Sequence, residues 1–378
     1  MSALARRVAL GAASILQALF VHAGDGVPQA ASPSKGPVTL RGTWVLDAAG
    51  KAVGPGDFRR GLQASGLAWR DGVLWCVGDQ RGEFPGRVMR IDPRSGRMIE
   101  RPMELHAPAT FPGSSRERTT AFAKYAGVPN PDFEALAVHP TDRHRLFVIT
   151  EDKTPWIVEI DLRKRDSPAV LAGTEVPEIV ALTEIELPAG LAPWNGDTNF
   201  RAEGLALSDD GKTVWVAFER AADGLPRILE TTLTEATSGD RVLLRDVAID
   251  FAAVPRRADK ERALLNLNDI LFVRRGGRPA LVGVARDQER LLWIDIEQRR
   301  VASWLDLDLR DPQGESIHWV SPEGVALDAP AGLLWLINDP DSVRGNYKRR
   351  GAEAANGRFA EFAPLLFALE LERLADGS

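Results

Sequence analysis

The segment FRAEGLALSDDGKTVWVAFER, Phe200 to Arg220, decides the fold of this chain. It holds a Glu-Gly pair, an apolar run, a polar turn, a second apolar run, and then an acid beside a base. Two apolar runs around a Ser-Asp-Asp-Gly turn predict a β-hairpin. The charges stand at its two outer ends and the apolar residues lie between them.

The pattern recurs four more times. ASGLAWRDGVLWCVGDQ starts at Ala64, FEALAVHPTDRHRLFVITED at Phe133, NDILFVRRGGRPALVGVARD at Asn268 and PEGVALDAPAGLLWLINDP at Pro322. The opening positions are Ser65, Glu134, Glu203, Asn268 and Glu323, 55 to 69 residues apart. A third apolar run follows each hairpin: RVMRID, WIVEID, RILETTL, LLWIDI and LLFALEL. Fourth-strand candidates follow the first four: MIERPMEL, LTEIEL, VLLRDVAID and VASWLDLD. Four short strands at this period predict an all-β fold, a β-propeller of five four-stranded blades, with a sixth degenerate blade still allowed. The fifth unit lacks a fourth strand. VTLRGTWVLD, from Val38, can fill that place and close the ring. Trp75, Phe147, Trp215 and Trp335 share one repeat position, which predicts packing between blades.

The segment before the repeats has a different character. Arg6 and Arg7 precede an apolar stretch, and Val21-His22-Ala23 ends it with small residues. This pattern predicts a secretory signal over residues 1–23, a linker over 24–37 and a propeller domain over 38–378. Removing the signal would take the formal charge from -6 to -8. The expected location is periplasmic or secreted, with no membrane span after cleavage. The single cysteine, Cys76, lies in an apolar run and reads as a buried small hydrophobe. No basic run suggests nucleic acid as a partner. An anionic small molecule is the expected substrate, and a protein partner stays open.

Propeller topology says where the charges go. The first strand of a blade lines the channel and the second returns beside it. The start of strand one and the end of strand two therefore share a face. Closing groups such as Glu151-Asp152-Lys153, Glu219-Arg220 and Arg286-Asp287 join the opening carboxylates there. Clustered carboxylate and amide oxygens suit a hard cation, with Ca²⁺ the natural candidate. Glu134, Glu203, Asn268, Asp269 and Glu323 are the expected metal ligands. Glu203, Glu323, Asp269 and His318 are the expected catalytic groups. Arg220, Arg286, Lys153, Arg81 and Arg344 are expected to hold an anion. The same carboxylates can also accept hydrogen bonds from neighbouring blades, so a scaffold role stays open. Turns on the opposite face are short. The long insertions, His106 to Asp132, Pro188 to Ala202, Ala252 to Leu267 and Asp341 to Pro364, fall on the charged face.

There is no G-x-S-x-G elbow, H-E-x-x-H, P-loop or G-x-G-x-x-G motif. Five scattered histidines predict neither a metal cluster nor a triad.

The EGLA-type openings, the unit lengths, the closing acid-base groups and the export signal resemble the phytase-like propeller family, described as having esterase-like activity of phytase. The resemblance covers about Gly42 to Leu371. It implies an exported propeller that binds calcium and acts on phosphate esters. The six-bladed phytases carry denser acidic loops than this chain. Glu203, Glu323 and Asn268-Asp269 also resemble the ligands of gluconolactonase-type propellers, which implies a metal-dependent lactonase as the alternative. A noncatalytic binding propeller of the cell envelope is a third expectation.

Overall fold

The computed structural model of the chain describes residues 37–50, 63–78, 86–105, 132–151, 155–163, 177–188, 202–260, 264–314, 320–339 and 364–372. Blade 1 contains Ala64–Arg70, Val73–Gly78, Arg87–Ile91 and Met103–Glu104. Blade 2 contains Phe133–Val138, Arg145–Thr150, Trp156–Asp161 and Glu178–Glu186. Blade 3 contains Ala202–Leu207, Thr213–Phe218, Arg227–Thr232 and Arg245–Asp246. Blade 4 contains Asp269–Arg275, Arg278–Ala285, Arg290–Asp295 and Arg300–Arg310. Blade 5 takes Pro322–Asp328, Leu333–Asn338 and Leu365–Glu370 from the C-terminal part and Thr43–Trp44 from the N-terminal part. Each inner strand contacts the inner strands on both sides, and that of blade 5 meets that of blade 1. Among the described residues, five blades therefore complete the ring and no sixth intervenes. The signal and linker assignments lie outside the described residues, except for Pro37.

The N-terminal segment does more than fill one place. Val38–Arg41 pairs in parallel with the outer strand of blade 4, from Leu307 to Arg310. Thr43–Trp44 then completes blade 5. Leu46 bridges to Arg97 of blade 1, and its carbonyl accepts the Met98 N–H at 2.7 Å. Only two residues of VTLRGTWVLD thus serve as the fourth strand of blade 5. The segment VLLRDVAID behaves in the same way. Arg241–Leu243 joins the outer strand of blade 2 in parallel, Arg245–Asp246 completes blade 3, and Asp250 bridges to Arg300 of blade 4. Both segments cross the outer edges of three consecutive blades, so each can pair with one blade only briefly. The parallel pairings cover outer strand edges that would otherwise expose unpaired backbone groups.

Local chemistry explains the hairpins. Blade 1 turns through Asp71 and Gly72, both with positive φ (51° and 82°), as a two-residue hairpin requires. In blade 3 the third strand ends where Thr232 and Glu235 form a reciprocal cap on one helical turn, Leu233–Ala236.

The core lies between blades. Trp215 of blade 3 stacks on Phe272 of blade 4, with ring centroids 5.4 Å apart and planes 5° from parallel. The repeat position of Trp215 thus packs between blades there, as expected. The glycine after the opening residue has a steric reason. A Cβ on Gly66 would lie 2.5 Å from the Leu136 nitrogen of blade 2, and one on Gly324 would lie 2.9 Å from the Leu67 nitrogen of blade 1. Only glycine lets the inner strands approach this closely.

Among the described residues, no helix is long and apolar enough to cross a membrane. The described part of the insertion after Ala252 is docked on blade 4. Arg257 Nη1 donates to the Leu307 carbonyl at 2.7 Å, and Lys260 Nζ meets Glu289 Oε2 at 2.6 Å in a buried ion pair. The other three insertions fall almost wholly outside the described residues.

Candidate functional site at the channel mouth

Glu134, Glu203 and Glu323 occupy the same irregular step of their inner strands. In blade 2 the pairing runs Phe133 to Thr150 and then Ala135 to Ile149, which leaves Glu134 with no residue opposite. Glu203 stands in this way between Ala202 and Gly204, and Glu323 between Pro322 and Gly324. Such a bulge re-aims the side chain of the extra residue. Blade 1 has its irregularity at Ser65 and Gly66. Blade 4 has none in its inner strand, and Asn268 stands just before it. All five opening side chains are buried, with 2% to 7% exposure. Buried polar groups at this level need partners.

Blade 2 gathers three acids. The Glu151 N–H donates to the Asp132 carbonyl at 3.0 Å, so the exit of the second strand is tied to the entry of the first. Carboxyl oxygens of Asp132, Glu134 and Glu151 lie within 4.8 Å of one another. Asp132 and Glu134 are buried and Glu151 is half-buried. Three carboxylates so close repel one another unless a positive charge joins them. An all-oxygen, anionic donor set fits a hard divalent cation such as Ca²⁺.

Blades 3, 4 and 5 meet at Arg286. Its Nη1 donates to Glu323 Oε1 at 2.5 Å, and its Nη2 donates to Glu219 Oε1 at 3.3 Å. The same Glu219 oxygen accepts from Arg220 Nη2 at 2.9 Å and from Asn266 Nδ2 at 3.1 Å. Burial opposes the charge on Arg286, but Glu323, Glu219 and Asp287 outweigh it and hold the guanidinium well above its usual range. Burial pushes the Glu323 carboxyl upward, and Arg286 opposes that push. Beside this group, Asn268 Nδ2 reaches Glu203 Oε2 at 3.5 Å.

Asp269 is committed elsewhere. Its carboxylate accepts the N–H of Ile270 and of Val325, each at 2.8 Å, and also those of Leu205 and Leu67. Those amides belong to blades 4, 5, 3 and 1. Burial pushes this carboxyl well above the usual range, and the amides pull it back. Its oxygens are taken by backbone, which is the scaffold role that the sequence left open.

The expected ligands are therefore divided. Glu134 groups with Asp132 and Glu151, while Glu323 is bound to Arg286 and Asp269 to backbone. Arg220 and Arg286 do come together, through Glu219. His318, Lys153, Arg81 and Arg344 lie outside the described residues. Sequence reading passes over Asp132 and Asn266. Both stand two residues before the opening position of their blade, a repeat position that also holds Gln63 and Ser321.

A search of curated proteins finds no match. Among solved structures, the chain is similar to a glutaminyl cyclase of Myxococcus xanthus at 12% identity and a TM-score of 0.46, covering 88% of this chain and 97% of that one. The family model described as Phytase-like, "Esterase-like activity of phytase", matches residues 60–287, more than half of the sequence, and the chain belongs to that family.

Proposed function

We propose that the chain is an exported, calcium-dependent hydrolase of anionic esters, with phosphate esters the first candidates. The observation that carries this reading is the convergence of Asp132, Glu134 and Glu151 within 4.8 Å at the mouth. These three residues would hold the cation. Bound Ca²⁺ would neutralise an anionic substrate and lower the pKa of a water. Glu203 is the proposed proton acceptor, oriented by the Asn268 amide. Arg220 and Arg286 are paired to Glu219 yet partly exposed, and they would turn their remaining N–H groups to the substrate anion. Membership of a family named for esterase-like activity supports hydrolysis, and the matched residues 60–287 include all of these groups. Export rests on the Arg6-Arg7 pair and the apolar stretch behind it.

The test is hydrolysis of p-nitrophenyl phosphate and a carboxylate-bearing p-nitrophenyl ester, with and without EDTA. Activity should vanish with EDTA and return with Ca²⁺. Glu203→Gln should slow turnover about 100-fold. Activity indifferent to EDTA and to Glu134→Gln would overturn the metal reading. Failure to turn over any ester would favour a binding propeller.

A further inference from the structure

Among the described residues, three buried side-chain oxygens near the inner strand ends of blades 1 and 4 have no hydrogen-bond partner: Gln63 Oε1, Ser65 Oγ and Asn268 Oδ1. Gln63 is 5% exposed and Ser65 is 2% exposed. Leaving such groups unsatisfied destabilises the fold unless a ligand meets them. Two of the three are in blade 1, the neighbour of the blade that carries the acidic triad.

Register places them at the same level as that triad on the neighbouring inner strand. Ser65 belongs to the irregular step of its strand as Glu134 does to its own. Gln63 stands two residues earlier, as Asp132 does. A Cβ on Gly66 would lie 2.6 Å from Ala135 Cα, so the two inner strands run side by side at this level. Gln63 and Ser65 are thus the blade 1 counterparts of Asp132 and Glu134 across the seam between the blades.

We propose that Gln63 Oε1 and Ser65 Oγ are neutral ligands of the cation held by Asp132, Glu134 and Glu151. This rests on the metal reading given above and adds the donors that set its selectivity. Ca²⁺ takes six to eight oxygens in a flexible shell and accepts amide and hydroxyl oxygens beside carboxylates. Mg²⁺ demands a tight octahedron and keeps its waters. Zn²⁺ favours nitrogen and sulfur donors. Five side-chain oxygens from two blades select Ca²⁺. They also make the cation a clamp on the seam between blades 1 and 2.

Calorimetric titration of the purified chain with Ca²⁺ and with Mg²⁺ tests this, alongside Glu134→Gln and the variants Gln63→Ala, Ser65→Ala and both together. The wild type should bind Ca²⁺ and prefer it to Mg²⁺, and Glu134→Gln should abolish binding. The double variant should bind Ca²⁺ about 10-fold more weakly. Its metal-free melting temperature should be unchanged or raised, because two unsatisfied buried oxygens have been removed. If Glu134→Gln abolishes binding while the double variant binds like wild type, Gln63 and Ser65 are not ligands and the metal reading survives. A wild-type chain that binds neither cation overturns both. A double variant whose only change is a lower metal-free melting temperature assigns the two residues to the scaffold.

Discussion

The carboxylate of Asp269, on the inner strand of blade 4, accepts the backbone N–H of Val325, on the inner strand of blade 5, at 2.8 Å. Amides of Leu205 and Leu67 reach the same carboxylate from blades 3 and 1. One side chain thereby ties four blades at the axis. Asp269→Ala would leave these buried amides unpaired, and the expected loss is about 3 kcal/mol or more. Asp269→Asn keeps the shape but offers one acceptor oxygen instead of two, so it should lose less. Urea denaturation monitored by tryptophan fluorescence measures both. A midpoint unchanged in Asp269→Ala would show that the carboxylate does not hold the ring.

Arg286 is the second cross-blade tie, since it reaches Glu323 and Glu219 on the blades to either side. Arg286→Gln would leave the buried Glu323 carboxylate without this cation and Glu219 with Arg220 alone, at an expected cost of about 3 kcal/mol. The double variant Arg286→Gln/Glu323→Gln removes that orphaned charge and should recover part of the loss. A double-mutant cycle on these residues measures the coupling. Strictly additive losses would show that the two side chains act independently.

His139 supplies a pH-dependent contribution on the opposite face. Its Nδ1 accepts the Asp142 N–H at 2.9 Å and the Thr141 N–H at 3.2 Å. Burial holds the imidazole below its ordinary value of 6.5, and the Arg145 charge adds to this. The folded protein therefore favours the neutral ring. The stability gained is complete above the ordinary value and is lost as pH falls through the folded one. Wild type should lose more melting temperature between pH 7 and pH 5 than His139→Asn, whose amide oxygen accepts the same N–H groups without titrating. Equal losses in the two proteins would remove His139 as the cause.

Much of this was legible in the chain. Apolar alternation, turn residues and the recurring opening positions were enough for five four-stranded blades, because strand periodicity and hairpin chemistry are local properties. The shared face of opening and closing charges followed from the same topology, and Glu134 and Glu151 do meet there. The division of VTLRGTWVLD and VLLRDVAID among three blades each was not legible. Parallel pairing with an outer strand leaves no local mark.

The partner of each charge was decided only by the tertiary structure. Glu134, Glu203 and Glu323 have equivalent places in the repeat, yet they meet an acidic pair, an asparagine amide and a guanidinium respectively. Asp269 has the residue type of a ligand, and its oxygens are filled by amides of four blades. Asp132 became visible only when the Glu151 N–H drew two strand ends together. Residue type and repeat position set which groups face the axis. Which of them share a charge depends on how neighbouring blades abut across it, and those contacts join residues far apart in the sequence.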